Sequence, residues 1–396
     1  MQCDVLIVGC GPAGGQCARQ LAAAGHKVLM VDQAREFSDN DYSSGGTILS
    51  FLTDFNIPDA VVGAYWQHLV VHSDQNVYEW KTNEKQGVIL DFAKLKQFLV
   101  NETLQAGGQC QLGVKYQSHK ILSDGSCEVT LLDRCKRETF TVKTQLIVDA
   151  TGSTRAVIGK KPKQDYLQAY GQEYLIETKL PSVALENRMV FMLGKSWVPD
   201  GYTWIFPMGN RRYKVGAAIF QLRDKMQKVN IKQTIEAILE RFFQDNAYTI
   251  LDKHGGDVWY CHPRKQSFFN NNVVAIGDSV SAINALGGEG IRHGMVCADY
   301  AAQAIDAYFK TNNLRVFKHY RKQFLRYVKY KWWFCEVYAK RYYDFDKTNT
   351  DALLKRLESK PYSVMKALLF DYDFMLIIKR YSKHRFMHLK NFLFNR

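Results

Sequence analysis

The chain has 396 residues, 46% of them apolar and 23% charged, enough for one large domain or two closely joined ones around a real core. Nine cysteines without a C-x-x-C pair exclude a zinc site of ordinary ligand spacing and point to a reducing compartment. No run of 18 apolar residues is present, so no membrane span is expected, and the net charge of +14 raises nucleic acid or an anionic lipid surface as a partner.

The opening MQCDVLIVGCG runs straight into a strand and a glycine turn, with no basic n-region or cleavage site, so a cytosolic protein starting at Met1 is expected. CDVLIVG, PAGGQCARQLAAAG and KVLMVD read as strand, helix closed by Gly25, and strand, the β-α-β start of a doubly wound sheet. The turn carries Gly9-x-Gly11-x-x-Gly14, and Asp32 ends the second strand 18 residues past Gly14. Gly9 permits the tight turn, Gly11 lets backbone approach a pyrophosphate, and Gly14 permits close helix packing. The helix N-terminus then faces the phosphates, and Asp32 accepts from a ribose.

DNDYSSGGTI is a polar loop, WQHLVVHSD and NVYEWK read as a hairpin, and FAKLKQFLVNETLQAG as an amphipathic helix. LGVKYQSHKIL, CEVTLLDR and ETFTVK form a β-meander inserted before LIVDATGS returns to the buried sheet. Residues 162–265 hold alternating strands, among them GYTWIFP and YKVGAAIF, and a helix near IKQTIEAILERFF, a sheet suited to holding substrate. VVAIGDSVSAINALGGEGIRHGMVCADYAAQAI closes the first domain with strand, loop and long helix. The expected class is α/β: a Rossmann-type FAD-binding domain (1–161 and 266–313), a β-sheet substrate domain (162–265) and a basic, aromatic helical region (314–396).

The glycine fingerprint binds an ADP group and does not separate NAD from FAD. AIGDSVSAINALGGEGI does: Asp278 and the helix start at Gly287, Gly288 and Gly290 add a second hydroxyl acceptor and a second positive helix end. A flavin uses both, the carboxylate for its ribityl chain and the helix end for the negative charge of its reduced ring.

VGCGPAGGQCARQLAAAG, VDATGS and GDSVSAINALGGEGI together resemble the FAD-dependent geranylgeranyl reductase group, whose fold is that of para-hydroxybenzoate hydroxylase, over about residues 1 to 310. The resemblance implies FAD contacts at Gly9, Gly11, Pro12, Ala13, Gly14, Asp32, Gln33, Ser44, Gly45, Ala150, Gly152, Gly277, Asp278, Gly288, Gly290 and Ile291, with Val114 near the adenine. GYTWIFP is similar to a Tyr-x-Trp-x-Phe-Pro stretch that lines the substrate channel in that family. Tyr202 and Trp204 would then shape the cavity against the flavin, with Ser44 near the ring. Aromatic faces suit the partial cationic character of a double bond being reduced, with hydride from flavin N5 and a proton from the other side. The same alternation also describes an ordinary half-buried strand.

The chain departs from the family's pattern at three places. Ser44-Gly45-Gly46 replaces a Cys-Gly-Gly segment, leaving the proton donor unassigned. Ala285 replaces a proline, and Asp91 stands about where many relatives carry arginine. Flavin-dependent halogenases, hydroxylating monooxygenases and lycopene-cyclase-like enzymes, which use reduced FAD without net redox change, are the neighbouring readings; a flavoprotein scaffold without turnover is a third class. No second glycine fingerprint marks an NADPH domain, so NADPH and a protein electron donor both stay open.

Residues 315–396 hold 20 Lys and Arg against 7 Asp and Glu, nearly all of the net charge. Cations interleaved with rings in KHYRKQFLRYVKYKWWFCEVYAKRYY suit solvated helix faces or, for a lipid-processing enzyme, an anionic membrane surface, which is favoured. No nucleic-acid module is present, and none is expected to bind. Arg292 and His293 follow the flavin loop, with a structural role favoured for the histidine, and no residues are assigned to a metal.

Overall fold

A computed structural model describes residues 1–40, 43–160, 166–221, 229–244, 247–342 and 349–375. At its centre Val5–Val8, Val28–Asp32, Gln109–Leu112, Leu146–Asp149 and Val273–Ala275 pair in parallel, with Phe269–Asn270 added antiparallel at the edge. The inner runs, from Val5, Val28, Leu146 and Val273, are apolar because both faces of the sheet are covered there, whereas the edge strand Gln109–Leu112 is half polar and partly exposed. Val5, Ile7, Val28, Met30, Leu146 and Val148 pack on the helices Pro12–Ala23 and Ile291–Thr311. The alternate residues Leu6, Val8, Leu29, Val31 and Ile147 pack on Val129, Leu131 and Val142 of the antiparallel meander Val114–Ile121, Cys127–Asp133 and Glu138–Thr144. Period-two geometry thus splits each strand between two layers.

The second sheet has seven strands in the order Tyr248–Tyr260, Leu167–Thr178, Arg212–Gln221, Gly201–Pro207, Arg188–Met192, His68–His72 and Val77–Trp80. Its last two strands come from outside 162–265: the hairpin at 68–80 joins by parallel pairing of His68–His72 with Arg188–Met192. Local alternation identifies a hairpin but not the sheet it joins. The helix Ile231–Phe243 closes one face through Ile235, Ile238, Leu239 and Phe243. The other face turns toward the nucleotide domain.

The C-terminal helices are sutured to both domains. In Arg315–Tyr342, helical with a break at Lys329, Trp332 donates Nε1 to the Ile283 carbonyl at 3.0 Å, and Tyr260 donates its hydroxyl to Glu336 at 2.6 Å. Thr350–Glu358 and Tyr362–Leu369 lay Leu354 and Met365 over Leu69, Val71, Tyr78 and Trp80 of the hairpin. The last stretch of the tail, with several of its cations, lies outside the described residues. No helix among the described residues is long and apolar enough to cross a membrane.

Candidate functional site

A cavity of about 710 Å³ runs between the two sheets, within the ~300–1,000 Å³ that ligand pockets span. Gly9, Gly11, Pro12, Ala13, Asp32, Gln33, Val114, Ala150 and Gly152 line it from the nucleotide-fingerprint side of the chain. Gly277, Asp278, Gly288, Gly290, Ile291 and Ser44 also line it, and Tyr202 and Trp204 border it from the seven-stranded sheet. Residues far apart in the chain therefore converge on one space.

The glycines divide by task. Gly9 has φ +112°, and a Cβ there would lie 2.3 Å from the Ala150 carbonyl oxygen. Gly14 packs behind it, off the cavity wall, where a Cβ would lie 2.0 Å from the Gly9 oxygen. Gly11 is the opposite case: nothing lies within 4 Å of its Cβ position, which faces open space. Gly45 also stands off the wall; its φ of +71° makes the turn that backs onto the Leu90 carbonyl. Asp32 accepts from the Cys10 N–H at 2.7 Å and the Ala34 N–H at 2.8 Å, which fixes its carboxylate at the strand end.

Two helix starts open into this cavity. Pro12–Ala23 and Ile291–Thr311 both lack a side-chain cap and any acidic residue in the first turn, leaving N–H groups and positive dipole ends for a ligand. Asp278 lies between them, half-buried on the cavity wall; burial pushes its carboxyl up, against the pull of Arg155. A dinucleotide with a second negatively charged ring system matches these features: Gly11 and the first helix would hold the diphosphate of FAD, Asp32 the ribose, Asp278 the ribityl hydroxyls and the second helix the ring.

Sequence reading missed Arg155. It is 2% exposed, with φ +49°, and donates Nε to the Ser279 carbonyl at 3.1 Å and Nη2 to Ser281 Oγ at 2.7 Å, tying the turn after Asp149 to the loop holding Asp278. A lone cation inside a glycine turn was its only signal.

Glu289 is a second anchor. Arg292 grips it with two hydrogen bonds, Nε to Oε1 at 2.8 Å and Nη2 to Oε2 at 2.7 Å, while Thr47 and Tyr372 each donate a hydroxyl at 3.0 Å. Strand, flavin loop and C-terminal segment are thereby joined. Arg292 and His293 turn away from the cavity; burial pushes the His293 imidazole down to about 4, and its Nδ1 pairs with the Tyr327 hydroxyl at 2.8 Å. His293 thus has a structural place between Tyr327 and Glu289. Asp91 caps the helix Phe92–Gln105 by accepting from the Lys94 N–H at 3.1 Å.

GYTWIFP forms one strand near the centre of the large sheet. Tyr202 and Trp204 face the cavity with ring centroids 5.6 Å apart, and the Tyr202 hydroxyl donates to the Gly287 carbonyl at 2.9 Å. Phe206 does not reach the cavity; it packs with Ile48, Trp66, Ile89, Met189 and Phe370. Ile205, of opposite parity, belongs to the core beneath helix Ile231–Phe243. The stretch is therefore both wall and core. Gly216 seats the indole, since a Cβ there would meet Trp204 Cζ2 at 2.2 Å.

Behind Trp204 lies a polar group that sequence reading missed. Trp204 donates Nε1 to Glu173 Oε2 at 2.6 Å, and Glu173 Oε1 is 3.2 Å from His254 Nε2 and 3.9 Å from Lys214 Nζ. Lys214 also donates to the Ser43 carbonyl at 2.6 Å, next to Ser44. No group of three or more His, Cys, Asp or Glu among the described residues is arranged to hold a metal ion.

Comparisons with known proteins agree with this geometry. The family model described as lycopene cyclase protein matches residues 4–380, well past the residue near 310 where the motif resemblance stops. A digeranylgeranylglycerophospholipid reductase of Haloferax volcanii is 30% identical over 322 residues, 76% of each chain. Among solved structures, a geranylgeranyl bacteriochlorophyll reductase-like protein of Thermoplasma acidophilum superposes with a TM-score of 0.75 at 19% identity, covering 93% of this chain and 98% of that one. A flavin-dependent brominase gives a TM-score of 0.70 at 14% identity, covering 97% and 100%. The fold is thus that of the FAD-binding flavoproteins, and the chain belongs to the lycopene cyclase protein family.

Proposed function

We propose that this protein is an FAD-dependent oxidoreductase that reduces carbon–carbon double bonds of an isoprenoid lipid. The observation that carries this reading is the single cavity in which a dinucleotide cradle meets the Tyr202–Trp204 wall. The reductase names of its relatives support it. When bound, the cofactor supplies hydride from N5. This chain's residues do the rest. The two uncapped helix starts hold the cofactor's anionic groups, the aromatic wall excludes water, and the ring faces stabilise positive charge developing on an alkene carbon. Ser44 borders the same cavity. NADPH or a protein donor provides the electron pair.

The test is anaerobic: the flavin of purified protein is reduced, a geranylgeranyl lipid is added, and reoxidation is followed at the flavin absorption band with the product's mass. The expected result is reoxidation with a gain of two hydrogens per double bond. The family's cyclase description favours a second reading, in which reduced FAD promotes ring closure without net redox change. It predicts a flavin that stays reduced and a product of unchanged mass.

A lipid substrate also accounts for the C-terminal helix. Tyr330, Trp333 and Val337 are exposed at spacings of three and four, one helical face, with Arg326, Lys329, Lys340 and Arg341 exposed around them. Rings at headgroup depth beside cations fit an anionic bilayer. Co-sedimentation with phosphatidylglycerol-containing vesicles is expected, weakened by salt and by Trp333→Ala; equal binding to neutral vesicles at high salt would count against it.

A further inference from the structure

With Ser44 where the family resemblance puts a thiol, the proton source has to come from elsewhere in the cavity wall. Three groups present themselves. Cys10 borders the cavity, but its buried thiol is pushed up by its contact with Cys110 and by burial. Glu289 is locked as a carboxylate by Arg292 and lies off the wall. The third is the cluster behind Trp204, and it has what a proton donor needs: a place on the wall and a path to water.

We propose that Glu173 delivers the proton to the double bond, recharged from solvent through His254 and Asp252. This rests on the reductase reading. Glu173 and His254 both border the cavity on adjacent strands paired antiparallel. His254 bridges two carboxylates, with Nε2 3.2 Å from Glu173 Oε1 and Nδ1 2.8 Å from Asp252 Oδ2. The Glu173 side chain is 3% exposed, that of His254 10% and that of Asp252 52%, so the three form a line from the cavity to bulk water.

The charges facing the pair favour a loaded state. Glu173 is met by His254, the Lys214 ammonium and the Trp204 N–H, and its charge reaches the Tyr202 hydroxyl. His254 is met by Glu173 and Asp252; burial alone would lower its pKa, but these carboxylates outweigh burial and the net direction is up. In the reaction the imidazolium passes its proton to the Glu173 carboxylate, and the carboxylic acid gives it to one alkene carbon. The π pair forms that C–H bond. Hydride from the two-electron-reduced flavin brings its own pair to the other carbon, leaving oxidised flavin, a Glu173 carboxylate and a neutral His254 that regains its proton from solvent.

The experiment uses the holoenzyme in single turnover. Glu173→Gln is expected to slow reoxidation by geranylgeranyl lipid about 100-fold or more, the scale of a lost general acid, with flavin content and spectrum retained, and Glu173→Asp to recover part of the rate. Because the donor must be protonated, the wild-type rate falls as pH rises through a value above 6.5, and His254→Gln removes that limb. An independent readout is the carbon-13 histidine titration of His254 without substrate, expected above 6.5 in the wild type and lower in Glu173→Gln. A wild-type rate in Glu173→Gln, or a wild-type His254 titrating below 6.5, overturns the assignment. If Glu173→Gln loses its flavin, the pH profile of His254→Gln decides, and a retained limb overturns it. A wild type that the lipid cannot reoxidise sinks the reductase reading instead, and the assignment with it.

Discussion

Arg292→Met is expected to destabilise the protein by about 3–5 kcal/mol, the cost of leaving one member of a buried ion pair without its partner. Arg292 and Glu289 are 11% and 9% exposed, and no other arginine or lysine is recorded within bridging distance of Glu289 among the described residues. The pH dependence should weaken as well. In the wild type, burial would raise the Glu289 carboxyl, but Arg292, and behind it His293, hold it well below the usual carboxylate range. A group depressed in the folded state adds stability that is present above its unfolded value near 4.5 and is lost as pH falls toward the folded one. In the variant the largest cause holding the carboxyl down is gone, and only His293 at 3.4 Å and the Thr47 and Tyr372 hydroxyls act against burial, so the folded value moves up toward the unfolded one. The stability that the wild type loses on acidification is then smaller in the variant. Urea unfolding at neutral pH and at about pH 4 measures this. A loss under about 1 kcal/mol, the size of an exposed pair, would show that the loop does not depend on the clamp.

Gly11→Glu is expected to yield a folded but colourless protein. Gly11 sits before the first helix at φ −67° and ψ 177°, extended backbone open to any residue, with nothing within 4 Å of a Cβ. The fold therefore tolerates the side chain. Its carboxylate would stand at the uncapped helix start proposed to hold the diphosphate, and like charges in contact cost several kcal/mol, a drop in FAD affinity of about 100-fold or more. The flavin content of purified protein and the melting temperature of the flavin-free form separate the two effects. Gly14→Ala should behave in the reverse way, because its Cβ would lie 2.0 Å from the Gly9 oxygen and disturbs the fold first. A yellow Gly11→Glu protein would move the diphosphate elsewhere.

The glycine-turn side of the cavity was legible because its signals are local. A strand, a glycine turn, a helix and an acid at fixed spacing leave few arrangements, and Gly9, Gly14 and Asp32 take the geometry their types require. Glycine positions read the turn but not its outlook: Gly11 faces the cavity while Gly14 and Gly45 stand behind the wall.

The other half needed the assembled sheet. GYTWIFP announced a strand with rings on one face, but only the packing of Phe370 and Met189 against Phe206 shows that the cavity ends at Trp204. Likewise the hairpin at 68–80 is plain in sequence, while its parallel pairing with Arg188–Met192 depends on a partner more than 100 residues away.

The amino-acid sequence by itself determined the order of elements, the nucleotide fingerprint and the aromatic strand, because these rest on backbone propensity, side-chain period and turn geometry within short windows. Tertiary structure alone decided which polar groups share the cavity. Glu173, Lys214 and His254 stand on three separate strands, and period two assigns each only to a face relative to its own neighbours. Pairing in register brings that face to one buried spot, where Glu173 comes within 3.2 Å of His254 and 3.9 Å of Lys214.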